Sequence, residues 1–516
     1  MSLNLAIIVE NGGRFFADQT ALTHPGRQLT YAELAVQVHR FSSVLSDNGV
    51  EPGDKVGLMV INRPEFTIAY FAILHAGGVV VPMNILFVED EVAYALEDSD
   101  ASALVLWAPL DAGAKGFARV PGCRRLFVAG AGGGALPDRA IAMEESMETA
   151  DAEADMAQTR PDDTAVILYT SGTTGQPKGA ELTHSNLLLN AMCTSERVFS
   201  HSMHNREFLG PGNIALAVLP LFHSFGQTAT QNGVLYGGAT MRPLERFDPE
   251  EVLSVIEAEQ ITYFSGVPTM YFALLAVPDA VERFDLSSLK YCVSGGAAIP
   301  VEVKQQFEKR FSVNIQEAYG LSETSPLACI QEIWRTGKIG TIGPPVWGVE
   351  AMIANNGDTP VPTGEVGEIL IRGHNIMKGY YNRPEATAEV MTNGWFHTGD
   401  LGRMDEDGDL FVVDRKKDMI IRGGFNVYPR EVEEVLYRHP AVAECAVLGV
   451  PDEKLGEDVM AVISLHNGQT AGEADIIAYA KEHLAAYKYP RRIRIIDSLP
   501  KGPTGKILKR ELRSKG

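Results

Sequence analysis

The amino-acid sequence predicts an α/β protein with a large N-terminal domain of packed parallel and mixed sheets with helices, and a small α+β C-terminal domain. Apolar runs of strand length alternate with helical stretches through about the first 400 residues, a pattern typical of parallel sheets covered by helices. The chain has 516 residues, which is too long for a single core. The composition changes near residue 400, and we therefore predict two domains, residues 1–415 and 416–516.

The predicted elements follow one another in the order expected for such a fold. A helix is predicted over residues 65–76, between two apolar runs of strand length. The predicted strands lie at residues 55–61, 77–82, 103–107, 165–168, 214–219, 289–294 and 410–413. Residues 405–409 predict a hairpin turn before the last of these strands. The segment after residue 415 carries strand and helix patterns of its own.

Charge and cysteine usage exclude several classes of protein. The net charge is −21, which argues against non-specific binding of nucleic acid and against a polybasic membrane anchor. The five cysteines are scattered without a CxxC pair, so we expect neither a cysteine metal cluster nor a disulfide framework, and we predict a reducing, cytoplasmic location. The sequence has no signal-peptide pattern and no apolar run of about 18 residues, so no transmembrane helix is expected.

Residues 169–179 are the most informative stretch, Tyr-Thr-Ser-Gly-Thr-Thr-Gly-Gln-Pro-Lys-Gly, directly after a strand-like run. Glycine lets the backbone approach a ligand closely, and successive free N–H groups form a nest that binds anions. Hydroxyls and a lysine add donors suited to phosphate. The stretch is not a Walker P-loop, because two residues separate Gly175 from Lys178 and a glycine follows the lysine. It predicts a loop that holds a polyphosphate rather than a flexible linker.

Six further motifs follow in order along the chain. They are PLFHSFG at 220–226, SGGAAIP at 294–300, EAYGLSET at 317–324, GWFHTGD at 394–400, RGGFNVYP at 422–429 and PKGPTGKI at 500–507. Taken singly, each has an ordinary structural explanation. A lone histidine such as His223 is usually a core residue, and a lysine near the C-terminus is usually a surface charge.

As an ordered set, these motifs resemble those of the adenylate-forming superfamily, which contains acyl- and aryl-CoA synthetases, peptide-synthetase adenylation domains and beetle luciferases. The resemblance covers nearly the whole chain. One departure is Ser322, which stands where the family pattern Tyr-Gly-x-Thr-Glu has threonine and keeps the hydroxyl. The resemblance also implies that the small C-terminal domain is mobile, with the charged residues 414–418 as a hinge near Lys417.

The resemblance implies a site for ATP and Mg²⁺. The phosphates are expected to contact the loop residues Thr170, Ser171, Gly172, Thr173, Thr174, Gly175 and Lys178. Tyr319 is expected to stack on adenine, Ser322 to contact phosphate and Asp400 to hold the ribose with Arg415. Glu323 and Thr170 are expected to hold Mg²⁺, which favours few carboxylates plus phosphate oxygens. The implied nucleotide site also includes Gly295, Gly296, Ala297, Glu317, Ala318 and Gly320.

The remaining implied roles concern the acid, coenzyme A and the chemical step. His223 is expected beside the acyl pocket and the carboxylate, and Gly423 and Gly424 along the path of the pantetheine arm. Lys506 is expected to bridge the acid and the α-phosphate, where loss of such a donor typically costs about 10²–10³ in rate. The predicted catalytic residues are Lys506, Lys178, Thr170, Glu323 and His223.

We therefore predict an AMP-forming acid–CoA ligase that uses ATP, Mg²⁺, CoA and a carboxylic acid. Peptide-synthetase domains place an aspartate near the position of His223, and its absence here disfavours an amino-acid substrate. Residues 224–233 and 267–271 offer no obvious cation for a second carboxylate, which favours a medium- or long-chain fatty acid, with an aryl acid such as a cinnamate as an alternative. Transfer to an acyl carrier protein, a nucleotide-binding protein without turnover and a luciferase-like oxygenase stay open. Peripheral membrane contact and a homodimer also stay open.

Overall fold

The structure is a computed structural model that describes residues 2–134, 136–137, 140–170, 176–196, 209–331, 338–466, 468–502 and 505–513. Over these residues the strands form four sheets. Three sheets are built from residues before 416, and the fourth is built from residues after it.

The first sheet carries the strand that leads into the predicted phosphate loop. Its eight strands in the described residues lie in the order Gly379–Tyr380, Lys178–Thr183, Thr164–Thr170, Val79–Pro82, Lys55–Met59, Ala101–Trp107, Arg125–Ala129 and Ala140–Ala142. The last six pair in parallel, and the first two add antiparallel pairs at one edge. Val79–Pro82 is buried along its whole length, which explains its uninterrupted apolar sequence.

The second sheet joins the N-terminal hairpin to strands that occur much later in the chain. Its eight strands in the described residues lie in the order Leu327–Ile330, Ile315–Gly320, Tyr291–Ser294, Tyr263–Gly266, Ile214–Ala217, Thr240–Pro243, Thr20–His24 and Arg27–Thr30. All neighbours pair in parallel except the pairs at the two ends. Leu22 is the register partner of Met241, so this sheet pairs strands that are far apart in the sequence.

A helix lies between these two sheets. Pro64–His75 contacts Val79–Pro82 and Lys55–Met59 of the first sheet and Thr20–His24 of the second. Every residue of the helix is buried. A helix that is enclosed on all sides has no need of a broad polar face, and its sequence is accordingly mostly apolar, with Glu65 paired to Arg27. Pro64 occupies the first helical turn, where its missing N–H costs no hydrogen bond.

The third and fourth sheets are mainly antiparallel. The third contains Val349–Ala354, Gly367–Gly373, Met391–Thr392, Trp395–Met404 and Leu410–Arg415. The fourth contains Ile420–Arg422, Phe425–Val427, Val442–Asp452, Gly456–Leu465 and Arg492–Ile495. The fourth sheet packs with Pro429–Leu436 and Glu473–His483 around a separate apolar core. The change of sheet falls between Arg415 and Ile420.

Helices cover the sheets along the rest of the described chain. The α-helices are Ile7–Phe15, Tyr31–Asp47, Pro64–His75, Glu89–Asp98, Asp111–Ala118, Met143–Met147, His184–Glu196, Gly233–Gly237, Pro249–Ala258, Pro268–Leu275, Ala280–Arg283, Val301–Phe311, Pro384–Val390, Pro429–Leu436, Glu473–His483 and Lys509–Arg513. Phe225–Asn232 is a π-helix and Ser322–Thr324 a 3₁₀ turn. Of the helices in the described ranges, none has the length and apolarity needed to cross a bilayer.

The predicted fold class is confirmed: a large α/β N-terminal region carries a smaller C-terminal unit. The differences are at strand ends. The strand predicted at 55–61 ends at Met59, and the strand predicted at 214–219 ends at Ala217. Val60, Val218 and Leu219 are buried in the connections after these strands and Ile61 is half-buried, so hydrophobicity alone does not show where the strand pairing ends. The domain boundary at residues 415–416 stays a prediction.

Candidate active site

A cavity of about 1700 Å³ opens between the N-terminal sheets and the C-terminal unit. It gathers most of the residues that the sequence predicts for the site: Thr170, Lys178, His223, Gly295, Gly296, Ala297, Glu317, Ala318, Tyr319, Gly320, Ser322, Glu323, Asp400, Arg415 and Lys506. Ser171, Gly172, Thr173, Thr174 and Gly175 lie outside the described residues. Gly423 and Gly424 do not line this cavity.

Strand ends explain why residues distant in sequence meet here. Ser294 closes strand Tyr291–Ser294, and Gly320 closes strand Ile315–Gly320, which pairs in parallel beside it. Thr170 closes strand Thr164–Thr170 of the other large sheet. Open α/β sheets place ligands outside the carboxyl ends of their parallel strands. Thr170, Ser294 and Gly320 therefore lie at one rim because each closes a strand.

One corner of the cavity combines a carboxylate, hydroxyls and a lysine. Thr170 Oγ1 lies 3.5 Å from Glu323 Oε1, and the Tyr380 hydroxyl donates to the same oxygen at 2.9 Å. The Lys178 ammonium lies 5.3 Å from the centre of the Tyr380 ring. Burial raises the pKa of the Tyr380 phenol, and the Glu323 carboxylate adds to that shift. Tyr380 is a site residue that sequence reasoning missed, because its short edge strand has no motif of its own.

A second corner is organised around Asp400. The Tyr319 hydroxyl donates to Asp400 Oδ2 at 2.7 Å, and Arg415 Nε lies 3.1 Å from Oδ1. Asp400 and Arg415 are register partners on adjacent strands, which fixes their pairing. Burial raises the pKa of Asp400, and the Arg415 charge opposes that rise. Each oxygen of this carboxylate is therefore oriented by a separate neighbour.

Glu317 lines the cavity and is held in place by an ion pair with Lys304. Lys304 Nζ lies 3.2 Å from Glu317 Oε1 and also donates to Gln331 at 3.0 Å. The Glu317 N–H donates to Gln331 Oε1 at 3.1 Å. Burial raises the pKa of Glu317, while the Lys304 charge lowers it. These contacts tie strand Ile315–Gly320 to helix Val301–Phe311, a positioning role that the motif itself did not indicate.

Lys506 reaches the cavity from the C-terminal unit. A Cβ placed on Gly296 would lie 3.1 Å from Lys506 Cε, so the two chain segments are in close contact. Gly296 also has a φ of +79°, a conformation that favours glycine. The turn before the lysine is held by Thr269, whose hydroxyl donates to the Gly505 carbonyl at 3.0 Å. Thr269 was not singled out from the sequence as an anchor.

The electrostatics of Lys506 reflect this crowding. Burial lowers the pKa of Lys506 to about 8, with a further lowering by the Arg415 charge, while Asp400 and Glu323 oppose the shift. Burial and the charge of Lys506 together lower the pKa of His223 to about 3. Five predicted residues from both parts of the chain are thus electrostatically coupled, which is typical of a functional site.

His223 is neutral near pH 7, and its hydrogen bond indicates the tautomer. The backbone N–H of Phe225 donates to Nδ1 at 3.3 Å, so Nδ1 is the acceptor. The proton of the neutral ring is then on Nε2. This arrangement leaves one N–H donor available to a carboxylate in the cavity.

The apolar wall of the cavity is partly different from the prediction. Phe225 and Ala229, one turn apart on the π-helix, line the cavity together with Phe222, Tyr263, Val267, Thr269, Phe272 and Val293. Gln227, Thr230 and Gln231 are instead buried within the protein. Met270 and Tyr271 are also buried, and the Tyr271 hydroxyl donates to the Val293 carbonyl at 2.9 Å. Only some of residues 224–233 and 267–271 thus form the predicted wall.

Gly423 and Gly424 lie in an exposed turn of the C-terminal unit. Their φ angles are +58° and +85°, and the Gly423 N–H donates to the Leu455 carbonyl at 2.8 Å. A Cβ on Gly424 would meet open space. In this arrangement the turn has no contact with the cavity.

Known proteins share both the motifs and the fold. The chain matches the family model of the AMP-binding enzymes over residues 9–381 and that of the AMP-binding enzyme C-terminal domain over residues 431–506. It is 38% identical to a long-chain-fatty-acid–CoA ligase of Bacillus subtilis, over 98% of this chain and 93% of that protein. It is 40% identical to a feruloyl-CoA synthase of Amycolatopsis, over 96% of this chain and 95% of that protein.

Solved structures agree with this likeness. The anthranilate CoA ligase AuaEII in complex with anthranoyl-AMP superposes with a TM-score of 0.91 at 30% identity, covering 100% of this chain and 97% of that one. ATP-bound MatB from Rhodopseudomonas palustris superposes with a TM-score of 0.89 at 30% identity, covering 100% of this chain and 99% of that one. The resemblance to adenylate-forming enzymes is thus confirmed, and the chain belongs to the AMP-binding enzyme family.

Proposed function

We propose that this protein is an acid–CoA ligase that first joins a carboxylic acid to AMP and then transfers the acyl group to CoA. The observation that carries the proposal is the convergence of Lys506, Asp400, Arg415 and Glu323 at one cavity with an apolar wall. The cavity thus combines cations for phosphate with a surface suited to an acyl group.

In the first reaction, a carboxylate oxygen of the acid attacks the α-phosphorus of ATP and pyrophosphate leaves. The Lys506 ammonium bridges the acid and the α-phosphate and stabilises the charge that develops between them. The Nε2–H of His223 donates to the second carboxylate oxygen and orients the acid. Asp400, held by Tyr319 and Arg415, receives the ribose hydroxyls.

Glu323 and Thr170 suit a magnesium ion that arrives with ATP. Both provide hard oxygen donors, and the 3.5 Å between their oxygens allows both to face one ion. The Mg²⁺ would neutralise part of the phosphate charge. Lys178, against the Tyr380 ring, adds a second positive charge on the same side.

In the second reaction, the CoA thiol sulfur attacks the acyl carbon and AMP leaves. We propose that the unit formed by residues 416–516 rotates about a hinge at Lys417, so that the turn at Gly423 and Gly424 replaces Lys506 at the cavity. The position of the change between sheets supports this hinge, because residues 416–419 connect the third sheet to the fourth.

For the acid, we propose a medium- or long-chain fatty acid. Apolar and aromatic side chains line the wall next to His223, and alkyl chains gain stability from contact with such surfaces. The rings of Phe222, Phe225 and Tyr263 support an aryl acid of the cinnamate type as the second candidate, because aromatic rings pack well against one another. Of the two similar ligases, one is named for a long-chain fatty acid and the other for the feruloyl group, which is of the aryl class.

Pyrophosphate release is the test. The purified protein is given MgATP and a panel of straight-chain, branched and aryl acids, first without an acyl acceptor, then with CoA, then with a carrier protein bearing its phosphopantetheine arm. We expect multiple turnovers and acyl-CoA only when CoA is present. Turnover only with the carrier protein would mean that the enzyme loads an acyl group onto a carrier protein rather than onto CoA. Absence of release with every acid would leave a nucleotide-binding protein, and oxygen consumption with light emission would indicate a luciferase-like oxygenase.

A further inference from the structure

Three side chains outside the active cavity form a cluster that neither proposed reaction uses. Glu10, His39 and His75 each point one ligand atom to the same place, and these atoms all lie within 4.8 Å of one another. They come from three different helices, Ile7–Phe15, Tyr31–Asp47 and Pro64–His75. None of the three lines the active cavity.

The distances are close to those of a metal site. Nε2 of His39 lies 2.6 Å from Glu10 Oε1, and Nε2 of His75 lies 3.4 Å from the same oxygen. Two ligands at about 2.0–2.1 Å from a tetrahedral Zn²⁺ are about 3.3 Å apart. The distance from Glu10 Oε1 to His75 Nε2 already fits this value. The distance from Glu10 Oε1 to His39 Nε2 has to increase by about 0.7 Å to reach it.

The far side of each imidazole is held in the way that metal-binding histidines require. Nδ1 of His39 lies 2.9 Å from the Ala152 carbonyl, so Nδ1 carries a proton that it donates. Nδ1 of His75 lies 2.9 Å from Ser42 Oγ. Hydrogen bonds at Nδ1 fix the ring and leave Nε2 as the ligand atom. Both rings therefore present the correct nitrogen to the centre of the cluster.

Without a metal, the buried Nε2 of His75 has only a long contact, at 3.4 Å, to Glu10 Oε1. The His75 side chain is 1% exposed, and within the described residues its Nε2 has no hydrogen-bond partner. Nε2 of His39 already forms a hydrogen bond with Glu10 Oε1, at 2.6 Å. If Nδ1 of His75 donates to Ser42, a lone pair on its Nε2 faces a carboxylate oxygen, which is unfavourable in a buried place. A cation between the three side chains would remove this conflict.

The geometry points to a divalent transition-metal site, of the Zn²⁺ type, formed by Glu10 Oε1, His39 Nε2 and His75 Nε2. Two imidazoles and one carboxylate are a ligand set that Zn²⁺ accepts, with water in the fourth position. The Glu10 side chain is 29% exposed, so solvent reaches the edge of the cluster.

The site would fasten the acidic segment before the phosphate loop. His39 holds Ala152, Ser43 donates to the Asp151 carbonyl at 3.1 Å, and the Ala157 N–H donates to the His75 carbonyl at 2.8 Å. This segment continues into strand Thr164–Thr170, which ends at the active cavity. The metal is structural in this proposal and takes no part in acyl transfer.

Metal content is the first measurement. Tag-free full-length protein is stripped with a chelator and titrated with Zn²⁺ alone and with Co²⁺ alone, with bound metal measured by mass spectrometry. We expect one ion per chain, a visible Co²⁺ band of tetrahedral form, and a higher unfolding temperature in Zn²⁺. Glu10→Gln and His39→Asn should lose the ion and the Zn²⁺-dependent temperature shift. His24→Gln, a histidine near Glu245 elsewhere on the protein, should retain both.

A milder variant separates a ligand defect from a folding defect. Ser42→Ala removes only the contact behind His75 and should weaken Zn²⁺ affinity by about 10–100-fold. Ser46→Ala, exposed on the same helix, should bind as the wild type. No bound ion in the wild type, or one ion per chain in Glu10→Gln and His39→Asn, would overturn the proposal and leave a charged hydrogen-bond network at this position.

Discussion

Two turns of the C-terminal unit lie in opposite environments. The turn at Gly505 and Lys506 is fastened to the N-terminal part by Thr269 and places its lysine beside Gly296. The turn at Gly423 and Gly424 is exposed and touches no part of the cavity. If one rigid unit carries the groups for both proposed reactions, only one turn can be at the cavity at a time. The arrangement seen here fits the adenylation reaction.

The largest effect is expected from Lys506→Ala. The adenylation rate should fall by about 10²–10³, because a positive charge aimed at the developing negative charge is lost. Thioester formation from supplied acyl-adenylate should stay near the wild-type rate. Single-turnover measurements of the two half-reactions test this prediction. Lys481→Ala, an exposed lysine of the same unit, should leave both rates unchanged, and an equal loss in both half-reactions for Lys506→Ala would contradict the division of roles.

Gly424→Leu tests the other turn. A side chain in the path of the pantetheine arm should slow thioester formation by about 10²-fold through misplacement of the thiol, with adenylation unchanged. Gly468→Leu is the matched control, because Gly468 also has positive φ, at +79°, and open space around its Cβ position. If both variants behave alike, backbone strain rather than a blocked path explains the loss.

The pKa of Lys506 predicts a pH profile. Because burial lowers this pKa to about 8, the ammonium is present below pH 8 and is lost as the pH rises through that value. The kcat/KM for ATP in adenylation, which reports ionisations of the free enzyme, should therefore fall about tenfold per unit above pH 8. The rate of thioester formation should not fall in this way above pH 8. Lys506→Arg keeps its charge at high pH, so any residual adenylation in this variant should lack the fall. An identical fall in the variant would assign it to another group.

The smallest effect is expected from Thr269→Val. This change removes the hydrogen bond to the Gly505 carbonyl while keeping the shape of the side chain, and it should slow adenylation about fivefold, as a loss of about 1 kcal/mol implies. Thr269→Ser should restore the rate. A loss in thioester formation of the same size would mean that Thr269 supports the acyl wall rather than the docked turn.

The sequence predicts only some of the residues that form the cavity and the two turns. The motifs mark Lys506 and Gly424 because family members share local patterns, and strand ends bring most of the motifs to one cavity. Tyr380 and Lys304 were not predicted because neither lies in a motif and each meets its partner, Glu323 or Glu317, only through the packing of separate elements. The π-helix was not predicted either, since no composition distinguishes its extra residue per turn from an α-helix.

The same limit applies to the cluster of Glu10, His39 and His75. Cysteine spacing is readable in a sequence and was used to exclude a cysteine metal cluster, whereas single histidines on separate helices carry no spacing signal. Only the packing of the three helices brings their nitrogen and oxygen atoms together.

The pairing of Leu22 with Met241 has a consequence for synthesis of the protein. Met241 follows Leu22 by about 220 residues, so at about 5–20 residues per second the N-terminal hairpin waits roughly 10–40 s for its neighbour. During that interval the second sheet, which contacts the mostly apolar helix Pro64–His75, is incomplete. We therefore expect part of this helix to stay exposed during synthesis, so that chaperones which bind apolar segments raise the yield of folded protein.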